Sequence, residues 1–406
     1  MKKPEAWIGA AEAIELLQVR PQTLYANVSR GRIRARPDGD DPRRSRYRRD
    51  DVLRLAQRRP GRRALQAVAS GTIAWGEPVL PSAVSTVAEG RLLYRGQDAV
   101  LLSQQASLED VAALLWGGEG LPPATAGKAE PSTATLIVTS IAPSITPATS
   151  SNPITRALVA LAQRATQDLP SLGRTPAVLR EDAARVFAEV LDALIGAPSS
   201  KPAPAHRRLA TAWGRPRAQP LLRRALVLLA DHELNASTFA ARVAVSTGAS
   251  LAAGVLAGLA TLTGPLHGNV SLSVARLVER AAQVGVDAAL REAIEQDRRP
   301  SAFGHPLYPQ GDPRAAALLA ALPLPPLHAE LARRAEALIG EPPNVDFALS
   351  ALTHALRLPA QAPLVIFAAA RCVGWLAHGI EQALAASGPI RPRARYVGEA
   401  PRSGRR

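Results

Sequence analysis

Apolar residues recurring at intervals of three and four dominate this chain: Leu108–Leu115, Arg156–Ala165, Ala183–Leu194, Leu221–Leu229 and Leu364–Leu384 all carry the pattern. That spacing gathers apolar side chains on one helical face, and strand-like runs are scarce, so the expected architecture is all-α, built by packing helix on helix. A chain of 406 residues exceeds one ordinary domain, and two to three are expected. Hydrophobic residues make up 47% and aromatic ones only 4%, which leaves Leu, Ala and Val to fill the core.

Cys372 is the one cysteine, so neither a disulfide framework nor a thiolate metal cluster is available. The opening MKKPEAWIG has basic residues with no apolar run behind them, and no signal peptide is expected. Leu251–Leu262 and Leu364–Ala370 are too short, or too close to Arg371, to span a bilayer. A cytoplasmic protein is the expectation. Glu119–Pro153 and Ala197–Ala205, rich in Pro or small polar residues, read as exposed insertions or linkers.

The formal charge of +15 is uneven, because residues 1–60 hold 15 Lys/Arg against 8 Asp/Glu. Base composition alone can load an Ala-rich chain with Arg, but that concentration makes nucleic acid a candidate partner. Locally, Gly9–Leu17 predicts a helix, Pro21 opens a second running to about Ser29, residues 33–48 predict a β-hairpin, and Asp50–Ala56 a third helix. This order resembles the winged helix-turn-helix of MerR and excisionase-like proteins. The resemblance implies that Gln22, Thr23, Tyr25 and Asn27 face DNA, with Arg34, Arg43, Arg44, Arg46 and Arg48 near phosphates.

Three of the seven histidines, His232, His267 and His305, lie in short polar segments with Asp346 further on. They are 35 to 41 residues apart, so no single helix gathers them. Convergence, if it occurs, is tertiary and makes an acid/base site. His206, His328, His354 and His378 have no such context and read as structural.

The segments around these residues are DHELNAST (231–238), GPLHGN (264–269), FGHPLYPQGDPRA (303–315), PPNVDFALSAL (342–352), RCVGWLAHGIEQ (371–382) and IRPRARYVG (390–398). In this order and spacing they resemble the citrate synthase family. EGRLLYRGQDAVLL (89–102) and SLEDVAALLWGG (107–118) extend the likeness, which runs from about 65 to 398. The fold implied is the two-domain, all-α citrate synthase fold behind the small amino-terminal unit at 1–60. Its large domain would comprise 65–268 and 355–406, and its small domain 269–354.

The activity implied is condensation of acetyl-CoA with oxaloacetate and water to citrate and CoA. Alternatives are a 2-methylcitrate synthase-type acyl variant, or a catalytically weak, metabolite-sensing DNA-binding protein. Such a condensation removes a weakly acidic methyl proton, stabilises an enolate oxygen and polarises an acceptor carbonyl. By resemblance Asp346 is the base, His267 donates to the thioester oxygen and His305 to the keto oxygen. Arg314 and Arg371 clamp the acceptor's carboxylates, because a guanidinium pairs two oxygens at once. His232 and Asn235 bind the acceptor, and Arg391, with Arg393 as the fallback, enters the site from the other subunit of a homodimer. Asp346, behind Pro342-Pro343-Asn344, also stands where a helix cap would, and Arg371 could make a structural ion pair. No metal or organic cofactor is implied, with coenzyme A thioester as substrate. No membrane partner is implied either.

Two departures bear on the thioester end. Where the family commonly reads GHRVYK, this chain has Pro306 and Pro309 in the basic positions, and where it continues GGAN or GLAN this chain has Gly268-Asn269-Val270-Ser271. Contacts to the coenzyme A phosphates are therefore expected to be weaker or to come from elsewhere.

Overall fold

A computed structural model describes residues 7–17, 24, 27–29, 33–38, 41, 45–52, 80–117, 152–198, 202–268, 270–297, 300–385, 387–392 and 398. The chain divides into two compact units, Met1–Pro81 and Ser82–Arg406.

The first unit contains β1 (Trp7–Ile8), α1 (Ala10–Leu17), β2 (Ala35–Pro37) and β3 (Ser45–Arg48). The strands form an antiparallel sheet in the order β1-β3-β2, with Ile8 opposite Tyr47 and Arg36 opposite Arg46. Leu24 and residues 27–29 are helical, as are 49–52. Ile8, Ala13, Leu17, Leu24, Ile33, Tyr47 and Val52 form a core of the unit's own. The short strand β1 is not signalled by the sequence, since two residues carry no period.

Several side chains expected to face DNA are otherwise engaged. Asn27 is buried. Arg34 makes two charge-assisted bonds to the buried Asp51, Nε to Oδ2 at 2.8 Å and Nη2 to Oδ1 at 2.9 Å. Arg46 donates to Asp38 at 3.1 Å. These arginines have carboxylate partners inside the unit, which removes much of their charge from any phosphate. Arg36 remains exposed, with its guanidinium 4.4 Å from the Trp7 ring centroid. Gln22, Thr23, Tyr25, Arg43 and Arg44 lie outside the described residues.

The second unit opens with an antiparallel sheet, β4 (Ser85–Ala88), β5 (Arg91–Tyr94) and β6 (Gln97–Asp98), that helical periodicity does not anticipate. Its two-residue turns place Glu89 and Gly90, then Arg95 and Gly96, at positive φ, the conformation that matches strand twist. Helices follow: α2 (Ala99–Gln105), α3 (Leu108–Trp116), α4 (Pro153–Ala165), α5 (Pro176–Ile195), α6 (Ala205–Ala212), α7 (Gln219–Leu229), α8 (Ala236–Ser246) and α9 (Leu251–Leu262). Then come α10 (Val270–Val284), α11 (Val286–Asp297), α12 (Pro313–Leu319), α13 (Pro326–Ile339), α14 (Val345–Leu356) and α15 (Ala362–Leu384).

Helix starts follow capping chemistry. Ser107 and Asp110 form a reciprocal capping box at α3, and Asn235, Asp312 and Asn344 cap α8, α12 and α14. The main core gathers around α15, which packs on α3, α5, α7, α8 and α9. Among the described residues α15 is the one helix long and apolar enough to cross a membrane, yet 94% of its apolar window is buried inside the fold. Glycines let it approach its neighbours. A Cβ on Gly374 would lie 2.4 Å from Ala230 O and Asp231 Oδ1, and one on Gly258 2.8 Å from the Trp375 ring. A second apolar cluster joins α10, α11, α13 and Phe347, with Phe303 and Phe347 rings 5.4 Å apart.

Candidate active site

Loops and helix starts of the second unit carry the candidate residues. Asp231–Leu234 links α7 to α8, and within it His232 is buried with Nε2 2.9 Å from the Tyr308 hydroxyl. Tyr308 belongs to the loop before α12, as does His305. The rings of His232 and His305 meet edge-on at 5.1 Å, and those of His305 and Tyr308 lie 5.0 Å apart. Burial, reinforced by the charges of Arg314 and Arg371, holds His232 well below the usual imidazole range, so it is neutral.

His305 Nδ1 accepts the Leu307 N–H at 3.1 Å. A neutral imidazole with Nδ1 accepting carries its proton on Nε2, which makes that nitrogen a donor. Burial, then the positive charge of Arg314, lowers His305 to about 4.

Arg314 and Asp312 are both buried, and they meet as a fork: Nε to Oδ1 at 2.9 Å and Nη2 to Oδ2 at 2.8 Å. Asp312 Oδ2 also accepts the Val345 N–H at 3.1 Å, which ties α12 to the first residue of α14. Two of the Arg314 nitrogens are thus already committed to a carboxylate, a partner that the sequence did not reveal.

Arg371 differs. Its residue is 1% exposed, its Nε donates to Leu229 O at 3.0 Å, and its Nη2 is buried without a hydrogen-bond partner among the described residues. Desolvation lowers it to about 10, still cationic near neutrality. Among the described residues Arg371 makes no ion pair: the nearby carboxylate of Asp231, whose charge favours the guanidinium, accepts from Ser85 and meets His378 Nε2 at 3.2 Å, and its Oδ1 has no partner. A buried guanidinium with an idle donor is suited to receive an anion.

His267 Nε2 lies 2.8 Å from Ser237 Oγ, in the first turn of α8. Ser237 also receives the Trp375 Nε1–H at 3.2 Å and donates to Asn235 Oδ1 at 2.8 Å. Asn235 is the α8 cap, accepting from the Thr238 N–H at 3.1 Å. Burial, then Arg371, lowers His267 to about 4.

Asp346 sits in the first turn of α14. The cap there is Asn344, whose Oδ1 takes the Asp346 and Phe347 N–H groups, so Asp346 is not the cap residue. Its half-buried carboxyl has no hydrogen-bond partner among the described residues. Burial raises it to about 7 against the opposing field of Arg314.

Packing and field effects bring together His232, His305, Arg314, Arg371, His267, Asn235 and Asp346. Arg391 stands apart. Ile390 N–H donates to Ser246 Oγ at the far end of α8, and that 11-residue helix separates it from Asn235 by roughly 16 Å. Arg393 lies outside the described residues, as does Asn269.

His378, His328 and His206 are buried in the fold, and His354 is exposed beside His328. Sequence reasoning missed Tyr308, Ser237, Trp375 and Asp312. Tyr308 is three residues from His305 and Ser237 two from Asn235, so motif proximity was the available signal. No group of three or more His, Cys, Asp or Glu among the described residues is arranged to hold a metal ion.

Residues 73–393 match the family described as citrate synthase, C-terminal domain. The chain is 36% identical over 196 residues to citrate synthase 2 of Bacillus subtilis, covering 43% of this chain and 50% of that protein. It is 34% identical over 188 residues to the 2-methylcitrate synthase of Shewanella oneidensis, covering 44% and 50%. The chain thus spans about half the length of the curated relatives it matches. The crystal structure of citrate synthase from Thermotoga maritima superposes with a TM-score of 0.61 at 26% identity, over 80% of this chain and 94% of that one.

Proposed function

The chain belongs to the citrate synthase family, and from that premise we propose that it condenses acetyl-CoA with oxaloacetate and water to give citrate and CoA. The observation that carries the reading is the unpartnered Asp346 carboxyl, which burial raises to about 7 against the opposing field of two buried guanidinium groups, Arg314 and Arg371. As the carboxylate, Asp346 takes a methyl proton from the acetyl thioester. His267 donates to the thioester oxygen as the enolate forms. The contact of its Nε2 with Ser237 Oγ at 2.8 Å holds the ring in place for this.

The enolate carbon attacks the keto carbon of oxaloacetate, whose oxygen takes a bond from His305 Nε2–H, and water then cleaves the thioester. Arg371, with its idle Nη2, and Arg314 hold the acceptor's carboxylates, while His232 and Asn235 orient it. Arg391 is read as serving the partner subunit of a homodimer, since its own tail is anchored a helix length from its own site. Residues 269–354 are read as a small domain closing over the substrates.

The likeness to a 2-methylcitrate synthase keeps propionyl-CoA as the competing donor. Steady-state thiol release with acetyl-, propionyl- and butyryl-CoA, each dependent on oxaloacetate, decides the matter. The acetyl reading expects the highest kcat/KM for acetyl-CoA. A propionyl preference would transfer the assignment to the methylcitrate reaction, and no oxaloacetate-dependent release from any of the three would refute catalysis.

The amino-terminal unit is read as a DNA-binding accessory, on the support of its separate core, its antiparallel strand pair and its surplus of positive charge. Arg36, exposed on β2, is the best-placed phosphate partner. In the intact chain Arg36→Glu should weaken binding to a short duplex and flatten the slope of log K against log salt by about 0.9, the value for one phosphate no longer neutralised. An unchanged affinity and slope would remove Arg36 from the interface.

A further inference from the structure

We propose that the β4–β5 hairpin is a positioning device for His232, acting through Glu233. The inference rests on the citrate synthase-type reading and adds to it a residue that touches neither substrate. Glu233 is a non-glycine residue at φ 52, in the left-handed region, where an L side chain is strained. Its carboxylate supplies a counterweight. Glu233 Oε1 accepts the Val87 N–H at 2.5 Å and the Thr86 hydroxyl at 3.1 Å, while its own N–H donates to Ser85 Oγ at 2.9 Å.

The residue before His232 is anchored on the same strand pair. Ser85 donates to Asp231 Oδ2, and the Tyr94 hydroxyl donates to Val227 O at 3.0 Å and lies 3.3 Å from both the Asp231 N–H and C=O. His378 Nε2 meets the same Asp231 oxygen from α15. Both neighbours of His232 are therefore held by residues about 140 positions away, and the clamped turn aims the imidazole at Tyr308. A histidine that orients a keto acid tolerates little freedom, because misalignment weakens its hydrogen bond steeply. The strain at Glu233 persists because the hairpin over-determines the turn.

The test uses two substitutions in the full chain. Glu233→Gly relaxes the left-handed backbone and deletes both acceptor bonds, whereas Glu233→Gln keeps the single oxygen that makes them. Glu233→Gly should raise the KM for oxaloacetate about tenfold, the loss of roughly one charge-assisted bond's contribution. The KM for acetyl-CoA and the melting temperature should stay near those of the wild type, and Glu233→Gln should restore the oxaloacetate KM. A wild-type KM in Glu233→Gly, or a Gln variant as impaired as the Gly variant, overturns the proposal. Nitrogen-15 spectra of the His232 ring read its placement without turnover: one tautomer in the wild type and Gln variant, an averaged signal in the Gly variant. A single tautomer in the Gly variant overturns the proposal whether or not the chain condenses oxaloacetate, and absence of that condensation overturns the catalytic reading instead.

Discussion

Asp346→Asn should lower turnover by about 10²–10⁴-fold while leaving oxaloacetate binding close to that of the wild type, because an amide occupies the same space but cannot take the methyl proton. Calorimetric titration with oxaloacetate beside steady-state kinetics checks both halves. A loss of acceptor binding as large as the loss of rate would assign Asp346 to acceptor binding instead. The raised carboxyl supplies a pH signature, since kcat/KM should climb as pH rises through about 7, where the base becomes ionised.

The same shift predicts a stability change of defined sign. Asp346 titrates near 3.8 when unfolded and near 7 when folded, so between those values the folded chain binds a proton that the unfolded chain does not. Stability contributed by this group therefore falls as pH rises from about 3.8 to about 7, and the whole penalty is present above that. Asp346→Asn removes the penalty. Its melting temperature should exceed that of the wild type at about pH 8 and approach it at about pH 4, and the absence of that pH-dependent gap would contradict the half-buried, unpartnered description of the carboxyl.

Arg371→Leu should separate stability from function in the opposite way to an ordinary core mutation. The guanidinium is 1% exposed with Nη2 idle, and its desolvation, which costs on the order of several kcal/mol, is offset only in part by the through-space attraction of Asp231. An apolar side chain there should leave the melting temperature unchanged or raise it, even though the bond to Leu229 O is removed. Binding of oxaloacetate should weaken by roughly 30-fold or more, the consequence of removing a desolvated charge partner worth about 2–5 kcal/mol. A variant that unfolds at lower temperature yet binds the acceptor normally would make Arg371 a structural residue. Arg314 should behave differently, because deleting it strands the buried Asp312 carboxylate and destabilises the fold as well as the site.

The contrast between these two arginines bears on what could be read from the chain. Both lie in motifs that name them as acceptor clamps, and nothing in GDPRA or ARCVGW separates a guanidinium that is already forked onto Asp312 from one with an idle nitrogen. That difference depends on which atoms meet after folding. Likewise, His232 and His305 were legible as candidates, but Tyr308, whose hydroxyl meets His232 Nε2, was not, since its partner is 76 residues away. Asp346 could be named from its motif, yet only the fold, in which Asn344 takes the capping bonds, excludes it as the cap.

Local chemistry was legible because its causes are local: periodic apolar faces, Asn and Ser caps, and prolines at first helical positions act within one turn of the chain. The helices α3, α4, α5, α7 and α15 were each anticipated from the apolar periodicity alone. The short strands β1 and β4 to β6 escaped because two to four residues carry too little alternation to rival a helical pattern, and their pairing is decided by partners and turns. Electrostatics lay furthest out of reach. The neutral imidazoles, the raised carboxyl of Asp346 and the strained Glu233 held by the hairpin are products of burial and of contacts spanning more than a hundred residues, and both exist only once the helices have packed.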